Sequence, residues 1–235
     1  EVYPLGKTTI PTLFSDMDGI RAAMPGLYSK VYNYYTGEFY FYPDVAGNMV
    51  SLPAISSQAK MVDQYNFTSD PEQETTAVGK IWLDIYTAIA NANNILTYLP
   101  SLKEAYPQHL RELDRYEAEA LFIRALGHFD LVRVYAQPYN YSSDASHPGI
   151  PLIRKAPGPD GNPSRASVKA IYDFIEDDLL LAEKQFGDHP MTSAWYASKK
   201  ATQALLARVY LYRENWIEAI KYATYVIDAS TLDQG

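Results

Sequence analysis

Residues 198–229 read SKKATQALLARVYLYRENWIEAIKYATYVIDA. Ala201, Ala204, Leu205, Leu206, Val209 and Tyr210 recur at helical spacing and load more than one side, which predicts a helix buried between neighbours from about Ser198 to Arg213. A second stripe, Trp216, Ala219, Ile220, Ala223 and Ile227, begins at Asn215 after a turn of about two residues. So short a connection makes the two helices an antiparallel hairpin. Within it, Leu206, Ala207 and Tyr210 followed by Trp216 and Ala219 give the large-small-large order of a tetratricopeptide unit, in which small residues allow close crossing and aromatics fill the groove. Core packing alone also yields such an order, so periodicity by itself leaves the repeat fold open.

Four further helices precede the hairpin, and no segment reads as a long alternating strand. One follows Ser15, where Ser15-Asp16-Met17-Asp18 resembles a capping box; it carries Ile20, Leu27, Val31 and Tyr35, and Pro25-Gly26 should kink or split it. The next spans about Glu74 to Leu99, with Trp82, Ile85, Tyr86 and Ile89 on its apolar side and Pro100 as its stop. A third runs from near Pro107 to about Tyr135, with Leu110, Leu113, Leu121, Phe129 and Val132 inside and Ala118, Ala120 and Ala125 admitting a close neighbour. The fourth starts after Ser167 as N-cap and puts Ile171, Phe174, Ile175, Ala182 and Phe186 on one face, with Asp178 a polar intruder there. Two interruptions separate these elements. Thr36 to Asp70 is aromatic and irregular, too long for an ordinary connection. Ala136 to Pro163 is rich in proline and glycine and reads as an exposed excursion. The fold class is therefore all-α, helical hairpins with long irregular loops.

Composition bounds the function. The chain of 235 residues has 20 Lys+Arg against 28 Asp+Glu, a net charge of −8, which argues against a nucleic-acid partner. A hydrophobic content of 47% with 20% charged residues supports a sizeable core, in one large domain or two small ones. No apolar run reaches the roughly 18 residues of a membrane span, and the chain opens without a basic-then-apolar leader. Absence of cysteine excludes disulfides, thiol catalysis and cysteine metal sites.

Catalytic signatures are few. The nucleophile elbow, the P-loop, the dinucleotide fingerprint and the zincin helix are all missing, and no motif calls for a cofactor. His109, His128, His147 and His189 are scattered, and structural or surface roles fit them best. Glu176-Asp177-Asp178 cannot converge on one ion, because successive helical residues point about 100° apart. The reading is that Glu176 and Asp177 are solvated while Asp178 accepts hydrogen bonds from a neighbouring backbone or arginine.

The 21 tyrosines divide in two. Tyr86, Tyr135, Tyr172 and Tyr210 fall on apolar helical stripes and serve packing. Tyr40, Tyr42 and Tyr65 lie in the irregular segment with Asp44 and Asn48. A flat ring covers the apolar C–H face of a pyranose while Asp or Asn bonds its hydroxyls, so these five residues form a candidate glycan site. A loop packed by its own aromatics is the competing account.

An ordered set of motifs carries a resemblance. Trp82-x3-Tyr86-x2-Ile89-x2-Ala92-Asn93 comes first, then Ala118-Glu119-Ala120-Leu121-Phe122-Ile123-Arg124-Ala125 with Phe129, Leu131, Val132, Tyr135 and Pro138. Ile150-Pro151-Leu152, Arg165 with Ser167 and Tyr172, Asp178-Leu179 with Ala182, and Lys200-Ala201 through Tyr210-Leu211-Tyr212 follow in order, and Gly26-Leu27-Tyr28 and Asp44 fit near the start. Together they resemble the SusD/RagB family of outer-membrane nutrient-binding lipoproteins over nearly the whole chain. Ala136 departs from the pattern, which often has glycine there.

The resemblance implies a core of tetratricopeptide-like hairpins and a surface-exposed lipoprotein of the Gram-negative outer membrane. Its partners would be a glycan or peptide ligand and a SusC-like TonB-dependent transporter, and it would not be an enzyme. Members of that family are longer, so residues 1–235 are expected to be a single N-terminal helical domain of a longer chain, with an N-terminal lipid anchor absent from it. Asn93, Glu119, Arg124 and Asp178 are expected to satisfy buried backbone or one another. A helical-repeat adaptor that binds only another protein is the alternative.

Overall fold

The computed structural model describes residues 9–51, 61–68, 76–155, 161–188 and 193–228. Nearly all regular structure among them is helical: α1 (Ile10–Leu13), α2 (Met17–Tyr35), α3 (Glu38–Ala46), α4 (Val62–Tyr65), α5 (Ala77–Ala105), α6 (Leu110–Tyr135), α7 (Val168–Phe186), α8 (Lys199–Tyr212) and α9 (Trp216–Asp228). Two short strands, β1 (Pro148–Pro151) and β2 (Arg165–Ser167), pair antiparallel just before α7. His189, the residues near Glu74 expected to open the second long helix, and the turn at 157–160 lie outside the described residues.

Long helices form where apolar stripes meet. One core joins α2, α5 and α6 through Ile20, Leu27, Ile95, Leu99, Leu113 and Ile123. A larger one continues through α7 and α8, with Ile85, Ile89, Phe129, Ile171, Ile175 and Leu206 buried in it. Each such side chain stabilises the fold by roughly 1.5–3 kcal/mol. Ala118, Ala120 and Ala125 are fully buried, as the close approach of helices requires. Gly127 adds to them: a Cβ there would stand 2.8 Å from the Ile89 side chain, so α6 touches α5 through bare backbone.

Several boundaries differ from the sequence expectation. Asp16, not Ser15, caps α2, its Oδ1 accepting from the Gly19 N–H at 2.9 Å. α2 is not split at Pro25, because burial of Ile20, Met24 and Leu27 on either side outweighs the roughly 3 kcal/mol that an interior proline costs. In the same way α5 runs past Pro100 to Ala105, held by buried Leu99 and Leu102. Leu110, expected inside, is exposed at the start of α6. Residues 136–163 are more than an exposed excursion: Ala145 and Ile150 are buried, and β1 lies so close to α7 that a Cβ on Gly149 would meet Ile171 at 2.3 Å.

The α8–α9 hairpin closes as predicted. Glu214 takes the left-handed conformation (φ 58°), its N–H bonds Leu211 O at 3.1 Å, and the Asn215 N–H bonds Tyr210 O at 2.9 Å. This is the Schellman pattern that satisfies the last carbonyls of a helix. The inner face of α9 differs from the expectation. Ala219 and Tyr222 are buried, whereas Trp216, Ile217, Ile220 and Ile227 face outward, Ile217 at 79% exposure.

Asn93, Arg124 and Asp178 bond to one another and to backbone, as expected, whereas Glu119 pairs with Tyr28 and Arg115 instead. The Arg124 guanidinium makes two contacts of 2.7 Å to the Asp178 carboxylate and a third of 2.9 Å to Asn93 Oδ1, and the Asn93 amide donates to Ile153 O at 3.0 Å. Tyr28 donates to Glu119 at 2.9 Å. His128, fully buried, sits 2.8 Å from Arg124 O through Nδ1, and its Nε2 accepts from the Ile153 N–H at 3.3 Å. These bonds fasten the segment after β1 to α5, α6 and α7. Glu176, expected to be solvated, instead accepts from Tyr210 at 2.8 Å and pairs with Arg213, tying α7 to α8.

Candidate functional site

The segment expected to be irregular contains α3, and that helix re-sorts the candidate residues. Pro43 and the density of aromatics argue against a helix in the sequence, yet Phe39 packs edge-on against Tyr34 at 5.5 Å and against Tyr35 at 5.3 Å. Once those contacts seat the helix, Tyr40 and Asp44, four residues apart, share its outer face. Tyr42 points elsewhere, toward the main core and a 270 Å³ cavity it lines with Val132, Arg133 and Tyr212. It belongs to packing.

Asn48 has a structural explanation. Its φ is 55°, its N–H bonds Val45 O at 3.3 Å, and the Met49 N–H bonds Asp44 O at 2.8 Å, another Schellman closure. Asparagine tolerates the left-handed region better than most residues. Tyr65 ends α4, half-buried. Beyond it, Phe67 also has a positive φ of 56° while 78% exposed, an uncommon placement for a bulky residue.

The five candidates do not line one cavity: Tyr42 lines the 270 Å³ one and Asp44 another. Of them, Asp44 lines a cleft of about 570 Å³ between the end of α2, α3 and the start of α5. Its walls include Thr36, Phe41, Val50 and Met61, and its charged rim is Glu38 with Lys80. The Lys80 ammonium reaches both Glu38 oxygens, at 3.1 and 2.9 Å, and this bond holds the lysine pKa above its ordinary value. Phe41 is 54% exposed and meets Tyr40, 64% exposed, edge to face at 5.1 Å. Asp44 has no ion-pair partner among the described residues. An open ring and an available carboxylate offer a pyranose an apolar face and a hydroxyl partner, while the Thr36 hydroxyl donates to Tyr32 O at 2.8 Å. Phe41, Glu38 and Lys80 were missed from sequence; helical spacing from Asp44 back to Phe41 and Tyr40 is the signal that would have found Phe41.

A larger groove of about 760 Å³ runs along α5 past Trp82, Leu83, Tyr135 and Arg165. Its polar groups are committed. The Tyr135 hydroxyl donates to Val78 O at 2.5 Å, Tyr86 donates to Pro151 O at 2.7 Å, and Arg165 holds Gly149 O and Tyr135 O at 2.5 and 2.7 Å. Burial pushes both tyrosine pKa values up. What remains is an apolar wall, better matched to packing than to a sugar. Among the described residues no cluster of three or more metal-ligating side chains occurs, and no helix is long and apolar enough to cross a membrane.

Comparison with known proteins supplies the context for these clefts. A family model named SusD-like, described as starch-binding associating with outer membrane, matches residues 15–211. A SusD superfamily protein from Bacteroides fragilis superposes with a TM-score of 0.74 at 26% identity, over 91% of this chain and 50% of that one. One from Bacteroides vulgatus ATCC 8482 gives 0.71 at 25% identity, over 91% and 47%. A laminarin binding SusD-like protein gives 0.70 at 26% identity, over 90% and 43%. The chain thus spans about half the length of these solved relatives. No curated protein sequence matches it significantly. With the family model covering most of the chain and the helical order shared with these structures, the chain belongs to the SusD-like family.

Proposed function

We propose that this chain is the N-terminal helical part of a longer protein that binds glycans at the cell surface, without turning them over, and passes them to a SusC-like TonB-dependent transporter. The observation that carries the binding reading is the cleft of Thr36, Glu38, Phe41, Asp44 and Lys80, which combines the exposed Phe41 ring with the Asp44 carboxylate. Support comes from the family description and from the laminarin-binding relative. An N-terminal lipid anchor is the proposed attachment to the outer membrane. Affinity electrophoresis of the full-length protein through gels containing a panel of polysaccharides tests the reading: retardation by at least one glycan is expected, and migration unchanged by every one would overturn it.

The outward face of α9 favours a longer chain. Trp216, Ile217, Ile220 and Ile227 form an apolar strip too large to leave in water, and a further helix of the same stack would cover it. The same strip is what a helical-repeat adaptor without a soluble ligand would use. Co-purification of the full-length protein with a TonB-dependent transporter, with no polysaccharide retarding it, would favour that second reading.

A further inference from the structure

We propose that the 270 Å³ cavity behind α3 is a second ligand site, separate from the Phe41 cleft, and that it takes one uncharged sugar ring. α3 stands between the two. Glu38, Phe41, Asp44 and Val45 line the cleft, whereas Phe39 and Tyr42 line the cavity, where Val132, Arg133, Tyr172 and Tyr212 continue the wall. Tyr172 on α7 is only 3% exposed, and its ring is met edge-on by Tyr139 at 5.1 Å and Phe129 at 6.1 Å. Its hydroxyl bonds no described residue. Every sealed side-chain oxygen or nitrogen among the described residues has a partner, so this hydroxyl opens onto the cavity that Tyr172 lines. A buried polar group without a partner in the fold points to one from outside it.

The chemistry of the wall names the guest. A hydroxyl donates one hydrogen bond and accepts two, as each sugar hydroxyl does. Burial pushes the Tyr172 pKa up, so the group keeps its proton and both roles. The rings of Phe39, Tyr42 and Tyr212 suit the C–H face of a pyranose. A purely apolar guest would shut the Tyr172 hydroxyl away without a bond. Among the described residues Arg133 is the one charged member of this wall, and it is paired with Asp130, a fully buried carboxylate that also accepts from Tyr34 at 3.2 Å and Tyr35 at 2.9 Å. The fold itself therefore supplies the counter-charge, and an uncharged guest needs none. Size sets the length of the ligand. At 270 Å³ the cavity falls just under the roughly 300–1,000 Å³ of pockets that hold drug-sized molecules, which leaves room for one ring and not for a chain. Gln137 and Tyr212, both exposed, mark the side through which a ring enters.

Saturation-transfer NMR and titration of the full-length protein with methyl glucoside, methyl galactoside and methyl mannoside test the inference, with phenylacetate and p-cresol as ring-bearing controls. At least one glycoside is expected to bind, and more tightly than either control. Tyr172→Phe should weaken it by about 5-fold or more and hold the thermal midpoint at or above that of the parent, because the fold makes no bond to the hydroxyl removed. No binding by any glycoside, glycoside affinity unchanged in Tyr172→Phe, a lowered midpoint for that variant, or a control bound more tightly than every glycoside would each overturn the inference. Retardation by polysaccharide tests the cleft beside Phe41 by itself, so either site can fail and leave the other standing.

Discussion

Arg124 on α6 and Asp178 on α7 face each other through two N–H···O contacts of 2.7 Å, their side chains only 11% and 6% exposed. The pair is nearly out of water, so its members depend on each other more than a surface pair would. Asp178→Ala should cost about 3–5 kcal/mol by leaving the guanidinium uncompensated, and Arg124→Met combined with Asp178→Leu should recover most of that loss. Denaturant midpoints of the two variants against the parent measure it. A loss under about 1 kcal/mol for Asp178→Ala would place the pair in effective contact with solvent.

His128 makes stability depend on pH. Burial is the main cause that holds its pKa down near 4, from an ordinary 6.5, with the charges of Arg124 and Arg154 adding to it. A depressed histidine is neutral in the fold and takes up a proton on unfolding between those values. Its contribution is therefore whole above pH 6.5 and is lost as pH falls toward 4. From about pH 7 to about pH 5 the loss is roughly 2 kcal/mol. Stability curves of the parent and of His128→Gln should diverge over that range, the parent losing more on acidification; parallel curves would show that His128 titrates normally.

Closure of α3 rests on one backbone conformation. Asn48→Gly should leave stability within about 0.5 kcal/mol of the parent, because glycine reaches the left-handed region freely. Asn48→Val should lower it by about 1–2 kcal/mol and shift the thermal midpoint accordingly. Neither effect is a sugar contact, so a fall in ligand affinity for Asn48→Gly with no change in midpoint would return Asn48 to the binding site.

Trp82 is half-buried against the main core, beside Tyr86 at 4.7 Å and Tyr135 at 4.9 Å. From sequence it reads as a core aromatic, whose loss would cost roughly 3–5 kcal/mol. With one side open to the groove, Trp82→Ala should cost about 1.5–3 kcal/mol instead. Chemical denaturation distinguishes the two figures.

Helices were legible wherever a stripe of apolar residues met a matching neighbour, as in α6, α7 and the α8–α9 hairpin. So was Asp178, which interrupts the apolar face of α7, whereas the pairing roles of Asn93, Glu119 and Arg124 came with the family resemblance and not from the stripes. Proline misled the reading at Pro25, Pro43 and Pro100, since its local cost is small beside the burial of the residues around it. That error hid α3 and made Tyr40, Tyr42 and Asp44 look like one cluster, when helical geometry sends Tyr42 inward and brings Phe41 out. The outward side of α9 was illegible for another reason: nothing in the periodicity of Trp216, Ile220 and Ile227 says which neighbour they meet.

The central claim is that the cleft beside Phe41 holds a glycan. Isothermal titration of laminarin into the full-length protein and its Phe41→Ala and Trp82→Ala variants tests it most directly. The account predicts binding to the parent, a loss of about 10-fold or more for Phe41→Ala at unchanged thermal midpoint, and parent-like affinity for a folded Trp82→Ala. Parent-like affinity for Phe41→Ala, with binding lost in Trp82→Ala, would contradict it and move the site to the groove along α5.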